Sequence, residues 1–164
     1  MIRHWEGFVI SSTYSPILVD SSRTGSHYYY ASDRSDPRFF IEASVRTERG
    51  ESILSFIVVA KRPDGTRGQV RGSEFFTPMM DHFGDAVVDV IEGQWETTNP
   101  DWTTNLEAFN LLTASSTITE AAAATQVPTG IYAAQRGYSK VTVVTANPVG
   151  ARGTYTEVVV QFRK

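Results

Sequence analysis

Apolar and polar positions alternate imperfectly along residues 39–47, break at Glu48-Arg49-Gly50-Glu51, and resume through 52–60. That period of two, interrupted by turn residues, predicts a β-hairpin, closed on its far side by Pro63-Asp64-Gly65. Shorter strands are expected around 7–11, 16–20 and 27–31, with a loop at 21–26. The period then changes. Phe76, Met79, Met80, Phe83, Ala86, Val87, Val90 and Ile91 fall on one arc of about 160° at about 100° per residue. This predicts a helix from Thr77 to Gly93, with Pro78 in its first turn and Gly93 as its stop. On that helix Asp81, His82, Asp85, Asp89 and Glu92 share the opposite face.

Two capping boxes follow. Thr104-x-x-Glu107 predicts a helix to about residue 114, and Thr117-x-x-Glu120 another to about 124. Pro128-Thr129-Gly130 resets the chain before a short helix over 131–136, with Gly137 as its left-handed stop. Strands at 138–146 and 154–163 flank a loop at 147–153 and make a second hairpin. Strands, then helices, then strands indicate a single α+β domain: β-rich over 1–72, helical over 74–136, a β-hairpin over 138–163.

Composition adds limits. A chain of 164 residues with 41% apolar and 12% aromatic content can bury a core. No apolar run approaches the roughly 20 residues of a spanning helix, and none near the N-terminus suits a signal peptide. The expectation is a cytoplasmic protein or a delivered effector with no membrane partner. With no cysteine there is no disulfide, thiolate zinc site or cysteine nucleophile. Gly-rich phosphate loops and the Gly-x-Ser-x-Gly elbow are also absent.

Charge is segregated. Between Arg71 and Arg136 lie 64 residues with nine acids and no lysine or arginine, while both flanks are net basic. The Asp81/His82/Asp85/Asp89 face reads first as a solvated helix face, and second as a site for a divalent cation. No metal or cofactor is assigned. His82, the one histidine inside the acidic block, is a candidate acid or base because an adjacent carboxylate would raise its pKa. Trp95, Asn99, Asp101, Trp102, Thr103, Thr104, Asn105, Glu107 and Asn110 cluster within sixteen residues. An asparagine beside an apolar stripe must be hydrogen-bonded, either as a loop brace or as a pocket group. Trp95, Trp102, Tyr132 and Phe109 could wall a small-molecule pocket. Arg136, Lys140, Arg152, Arg163 and Lys164, interleaved with Tyr132, Tyr138 and Tyr155, suit phosphate contact with base stacking. Lys61, Arg67 and Arg71 would extend that patch if the two hairpins lay side by side.

Residues Thr104-Asn105-Leu106-Glu107-Ala108-Phe109-Asn110, Glu120-Ala121-Ala122, Thr125, Thr129-Gly130, Ala134, Gly137-Tyr138 and Lys140-Val141 form a further pattern. It resembles C-terminal effector domains of bacterial polymorphic toxins of the rearrangement-hotspot type, over about residues 104–164. In those domains an Asn-Leu-x-x-Phe-Asn helix leads through Glu-Ala-Ala to a Thr-x-Thr-Gly turn and a strand pair; here the turn carries an insertion, Thr125-Gln126-Val127-Pro128-Thr129-Gly130. The resemblance implies an effector acting on nucleic acid, with RNA cleavage as its expected chemistry and a cognate immunity protein as partner. On that reading His82, Lys140 and Arg152 are the catalytic candidates, and Asn105, Asn110, Arg136, Tyr138 and Tyr155 bind substrate. The competing expectation is a non-catalytic binding or assembly module that docks a basic partner on the acidic helical face. The site is expected where the acidic helix meets the basic strand.

Overall fold

A computed structural model describes residues 15–98, 104–115, 117–148 and 150–164. The strand expected near 7–11 lies outside these residues, as do Asn99, Asp101, Trp102 and Thr103. The chain forms one α+β domain, a seven-stranded sheet with four helices. In chain order these are β1 (Ile17–Val19), β2 (Tyr28–Asp33), β3 (Phe40–Glu48), β4 (Glu51–Val59), α1 (Gly72–Phe83), β5 (Val90–Glu96), α2 (Thr104–Thr113), α3 (Glu120–Gln126), α4 (Pro128–Gln135), β6 (Lys140–Pro148) and β7 (Tyr155–Arg163). The sheet order is β1-β2-β3-β4-β5-β7-β6, antiparallel throughout except for β4 beside β5. No helix among the described residues is long and apolar enough to cross a membrane.

The β3–β4 hairpin forms as its alternation predicts. Arg49 and Gly50, with φ of 53° and 83°, make the two-residue turn. Strand period then decides what the sheet presents. Tyr29, Ile41, Ala43, Leu54, Ile91, Trp95, Val158, Val160 and Phe162 share one core cluster with Phe75, Phe76, Met79 and Met80 of α1, with Leu106 and Phe109 of α2, and with Ala123 and Ala133. The opposite face carries Tyr28, Glu42, Ser44, Ser55, Glu92 and Gln94.

The helix expected over 77–92 is corrected at both ends. α1 begins at Gly72, so Pro78 sits inside it, and it stops at Gly84, whose φ of 87° no L side chain favours. Residues 90–92, read as the helix end, instead open β5, a central strand whose Val90 and Ile91 are fully buried. The acidic stripe is therefore not one helical face. Thr104 is the first residue of α2 rather than its cap. The second capping box shifts as well: Thr119 caps α3, its Oγ1 accepting from the Ala122 N–H at 3.1 Å. α4 starts at Pro128, not 131, and Gly130 lies inside it, packed so closely that a Cβ would overlap the Ala124 carbonyl oxygen. Gly137, at φ 88°, ends that helix as expected.

Candidate functional site

Parallel pairing of β4 with β5 lasts three residues, Ile53↔Val90, Leu54↔Ile91 and Ser55↔Glu92. Beyond them β4 stays paired to β3 as far as Val59, and β5 to β7 as far as Glu96, but not to each other. The strands part there, and a cavity of about 320 Å³ opens between them. This is the carboxyl end of a parallel strand pair, where open α/β sheets bind their ligands.

The walls are aromatic. Phe56 and Tyr132 each lie 5.4 Å, centroid to centroid, from Phe76, and Trp95 is backed by Phe109 at 5.8 Å. Two glycines let these rings in. A Cβ at Gly93 would stand 2.7 Å from the Trp95 Nε1, and one at Gly72 would stand 2.6 Å from the Tyr132 hydroxyl. Trp95 is only 4% exposed, yet its indole N–H has no hydrogen-bond partner among the described residues and is not sealed from the cavity. Water or a ligand in the cavity can accept from it. Burial also pushes the Tyr132 hydroxyl pKa up, keeping it protonated.

Two cations stand at the mouth. After β4 the chain turns back through Gly65 (φ 86°), with Arg62 N–H donating to Thr66 O at 2.8 Å, and closes in an antiparallel bridge between Lys61 and Arg67. Residues directly opposite in such a bridge have their Cβ atoms about 5 Å apart, and like charges there repel. Neither cation has a carboxylate partner among the described residues. The return of this loop is anchored by Asp33, 2% exposed, which accepts from the Gln69 and Val70 N–H groups at 2.7 and 3.0 Å and from Ser35. Burial raises the Asp33 pKa, but these hydrogen bonds together outweigh it, and the net shift is downward. Gly68 lets the backbone approach: a Cβ there would stand 2.7 Å from Asp33 Oδ2.

Three helices also begin at the cavity: α1 with Gly72, α2 with Thr104 and Asn105, α4 with Pro128 and Thr129. Their dipoles add positive potential to that of Lys61 and Arg67. Asn105 ties two of these starts together, its Oδ1 accepting from the Thr129 N–H at 2.9 Å. The cavity's acid is Glu96, half-buried and without a hydrogen bond or ion pair among the described residues. Glu96, Gln94, Phe56 and Ile57 also line a groove on the opposite sheet face, so the parting of the strands opens the sheet from both sides.

Of the residues singled out from sequence, Lys61, Arg67, Trp95, Thr104, Asn105 and Tyr132 meet at this cavity. The catalytic candidates and the other substrate-binding candidates do not. His82 lies over β2, its Nε2 3.0 Å from the Gly25 carbonyl and its ring between Tyr29 and Phe83. Lys140 is on β6, five strands from β2 and hence about 24 Å across the sheet. Arg152, in the β6–β7 loop, donates to the Ile118 carbonyl. Asn110 is a brace: its Nδ2 donates to Tyr155 O at 2.9 Å and its Oδ1 accepts from Tyr155 N at 2.8 Å. The Tyr155 hydroxyl donates to Glu120 at 2.5 Å.

Arg136 bridges Asp81 at 2.8 Å and Asp85 at 3.0 Å, and Tyr138, fully buried, donates to the Val88 carbonyl at 2.7 Å. Asp89 accepts from Ser52 N, and Glu92 pairs with Arg46 and Gln161. The expected acidic face is thus divided among internal partners, and no group of three metal-ligating side chains converges among the described residues. The two hairpins do not lie side by side either, since β5 separates β4 from β7.

Lys61 and Arg67 enter the sequence reading only as an extension of a basic patch and Gly93 only as a helix stop, and Phe56 and Glu96 carry no site signal. The turn Pro63-Asp64-Gly65, flanked by cations on both sides, was the one local sign of the mouth. Comparison with known proteins finds no matching family model, no matching curated protein and no matching solved structure.

Proposed function

We propose that this chain is an effector-like domain acting on nucleic acid, and that it takes one nucleotide of a single strand into the opening between β4 and β5. The observation that carries this reading is the cation pair Lys61 and Arg67, without a carboxylate partner among the described residues, at the mouth of a cavity walled by Phe56, Trp95 and Tyr132. A nucleotide has the matching parts. Its phosphate relieves the repulsion between the two cations and faces the helix starts, and its base stacks on Phe56 and Tyr132, each such stack contributing about 1–3 kcal/mol. The Trp95 N–H supplies a donor to a base or sugar oxygen. RNA is the expected strand, from the resemblance of residues 104–164 to effector domains. Lys61 and Arg67 also provide the cations that metal-free RNA cleavage needs for the developing phosphorane charge.

The test is fluorescence anisotropy of a labelled single-stranded RNA across a salt series, with a gel assay of the same strand for cleavage. Binding is expected at low salt and weakens as salt rises, by about 0.7 in logarithmic slope per contacted phosphate. The Lys61→Ala/Arg67→Ala double variant is expected to bind at least tenfold more weakly and to lose cleavage and toxicity on expression. Absence of binding at low salt, or a double variant that binds like the parent, overturns the reading.

A further inference from the structure

Resting on the nucleotide reading above, we infer that the opening selects guanine, with Glu96 reading its Watson–Crick edge. The cavity is polarised. Lys61, Arg67 and three helix starts occupy its mouth, whereas Glu96 lies where it passes through the sheet into a groove that also holds Glu42 and Glu92. Of these acids Glu92 is neutralised by Arg46 at 3.0 Å, but Glu96 has no partner among the described residues. Glu96 stands directly opposite Glu157 in the β5–β7 register, where like charges repel. A ligand that brings donors to Glu96 while its anionic end stays at Lys61 and Arg67 relieves that repulsion and the one between the two cations.

Base chemistry narrows the choice. Guanine presents two adjacent donors, N1–H and the N2 amino group, to which a carboxylate binds in a bidentate manner. Adenine and cytosine offer one amino group beside an acceptor nitrogen, and uracil one N–H flanked by two carbonyl oxygens, so each sets a lone pair against the carboxylate. Guanine's O6 is also an acceptor, a match for the Trp95 N–H, which has no partner among the described residues. Nucleotide and cavity thus match at four kinds of group: rings, a donor and a carboxylate for the base, and a cation pair for the phosphate.

The experiment is calorimetric titration of the full chain with GMP, AMP, CMP and UMP, repeated on Glu96→Gln and on Lys61→Ala/Arg67→Ala, with thermal melts confirming that each variant folds. GMP is expected to bind at least tenfold more tightly than the other three, as one good bidentate contact allows. Glu96→Gln, which replaces one acceptor by a donor, is expected to bring GMP down to their level. The double cation variant is expected to weaken all four together and leave their order intact. Equal affinity of the parent for the four nucleotides, or a GMP preference that survives Glu96→Gln, overturns guanine selection and leaves the nucleotide reading standing. Failure of all four to bind overturns both.

Discussion

Around Arg136 the chain closes every charge it brings in, whereas around Lys61 and Arg67 it leaves charges open. The first region holds an arginine, two aspartates, a tyrosine and a lysine. Arg136 bridges Asp81 and Asp85, the Tyr138 hydroxyl donates to Val88 O, and Lys164 donates to Asp85 O. The second holds much the same residue types, namely Lys61, Arg67, Glu96, Tyr132 and Trp95, and the described residues satisfy none of their charges. Sequence weighting of charge and aromatics does not separate the two regions and favoured the first. Partnering separates them: a group committed to an internal contact stabilises the fold, and a group left open at a cavity awaits a ligand.

The sharpest way to break this comparison is stability. Tyr138→Ala deletes a fully buried ring at the Arg136 corner and is expected to lower unfolding free energy by about 3–5 kcal/mol in a denaturant melt. Next comes Tyr138→Phe, which keeps the ring but leaves the Val88 carbonyl unpaired, at about 1–2 kcal/mol. The same variant has a pH signature. Burial, with Asp85 adding to it, pushes the Tyr138 pKa up to about 12. A raised folded pKa means the stabilisation is whole below the ordinary value near 10 and is lost as pH rises through about 12. The parent is therefore expected to lose stability across that window, and Tyr138→Phe to lose less.

A smaller effect belongs to Arg136→Met. Breaking the bridge to two half-exposed carboxylates is expected to cost about 1 kcal/mol, reduced further by salt. The smallest effect belongs to the other region. Lys61→Ala and Arg67→Ala are expected to change stability by less than about 0.5 kcal/mol, or to raise it slightly by ending their repulsion. A loss above 1 kcal/mol in either would place these side chains in the fold's own framework and erase the contrast.

Much of the fold was legible where local chemistry decides it. The 39–60 hairpin follows from alternation around Arg49-Gly50, and the stop at Gly137 from its left-handed conformation. β5 was misread because Val90 and Ile91 continue the helical spacing of Phe76–Phe83, while the true stop, Gly84, carries no stronger local mark than Gly93. Gly93 is a glycine for a different reason, the Trp95 ring folded over it along the same strand face, a contact that exists only once the strand forms. The cavity was illegible for a similar cause. It needs a parallel pairing that ends after three residues and the starts of α1, α2 and α4 brought together, and neither leaves a period in the sequence. Asn105 and Asn110 show the limit: both were singled out as polar groups beside apolar stripes, and only the fold assigns one to the cavity and the other to the Tyr155 backbone.

The most direct test is amide and indole chemical-shift mapping by NMR as a short single-stranded RNA is added. The largest perturbations are predicted at the Trp95 indole N–H and at the backbone of Lys61, Arg67, Gly72 and Gly93. Perturbations centred instead on Arg136, Tyr138 and Lys140, with the Trp95 indole resonance unmoved, would contradict the assignment of the site to the opening between β4 and β5.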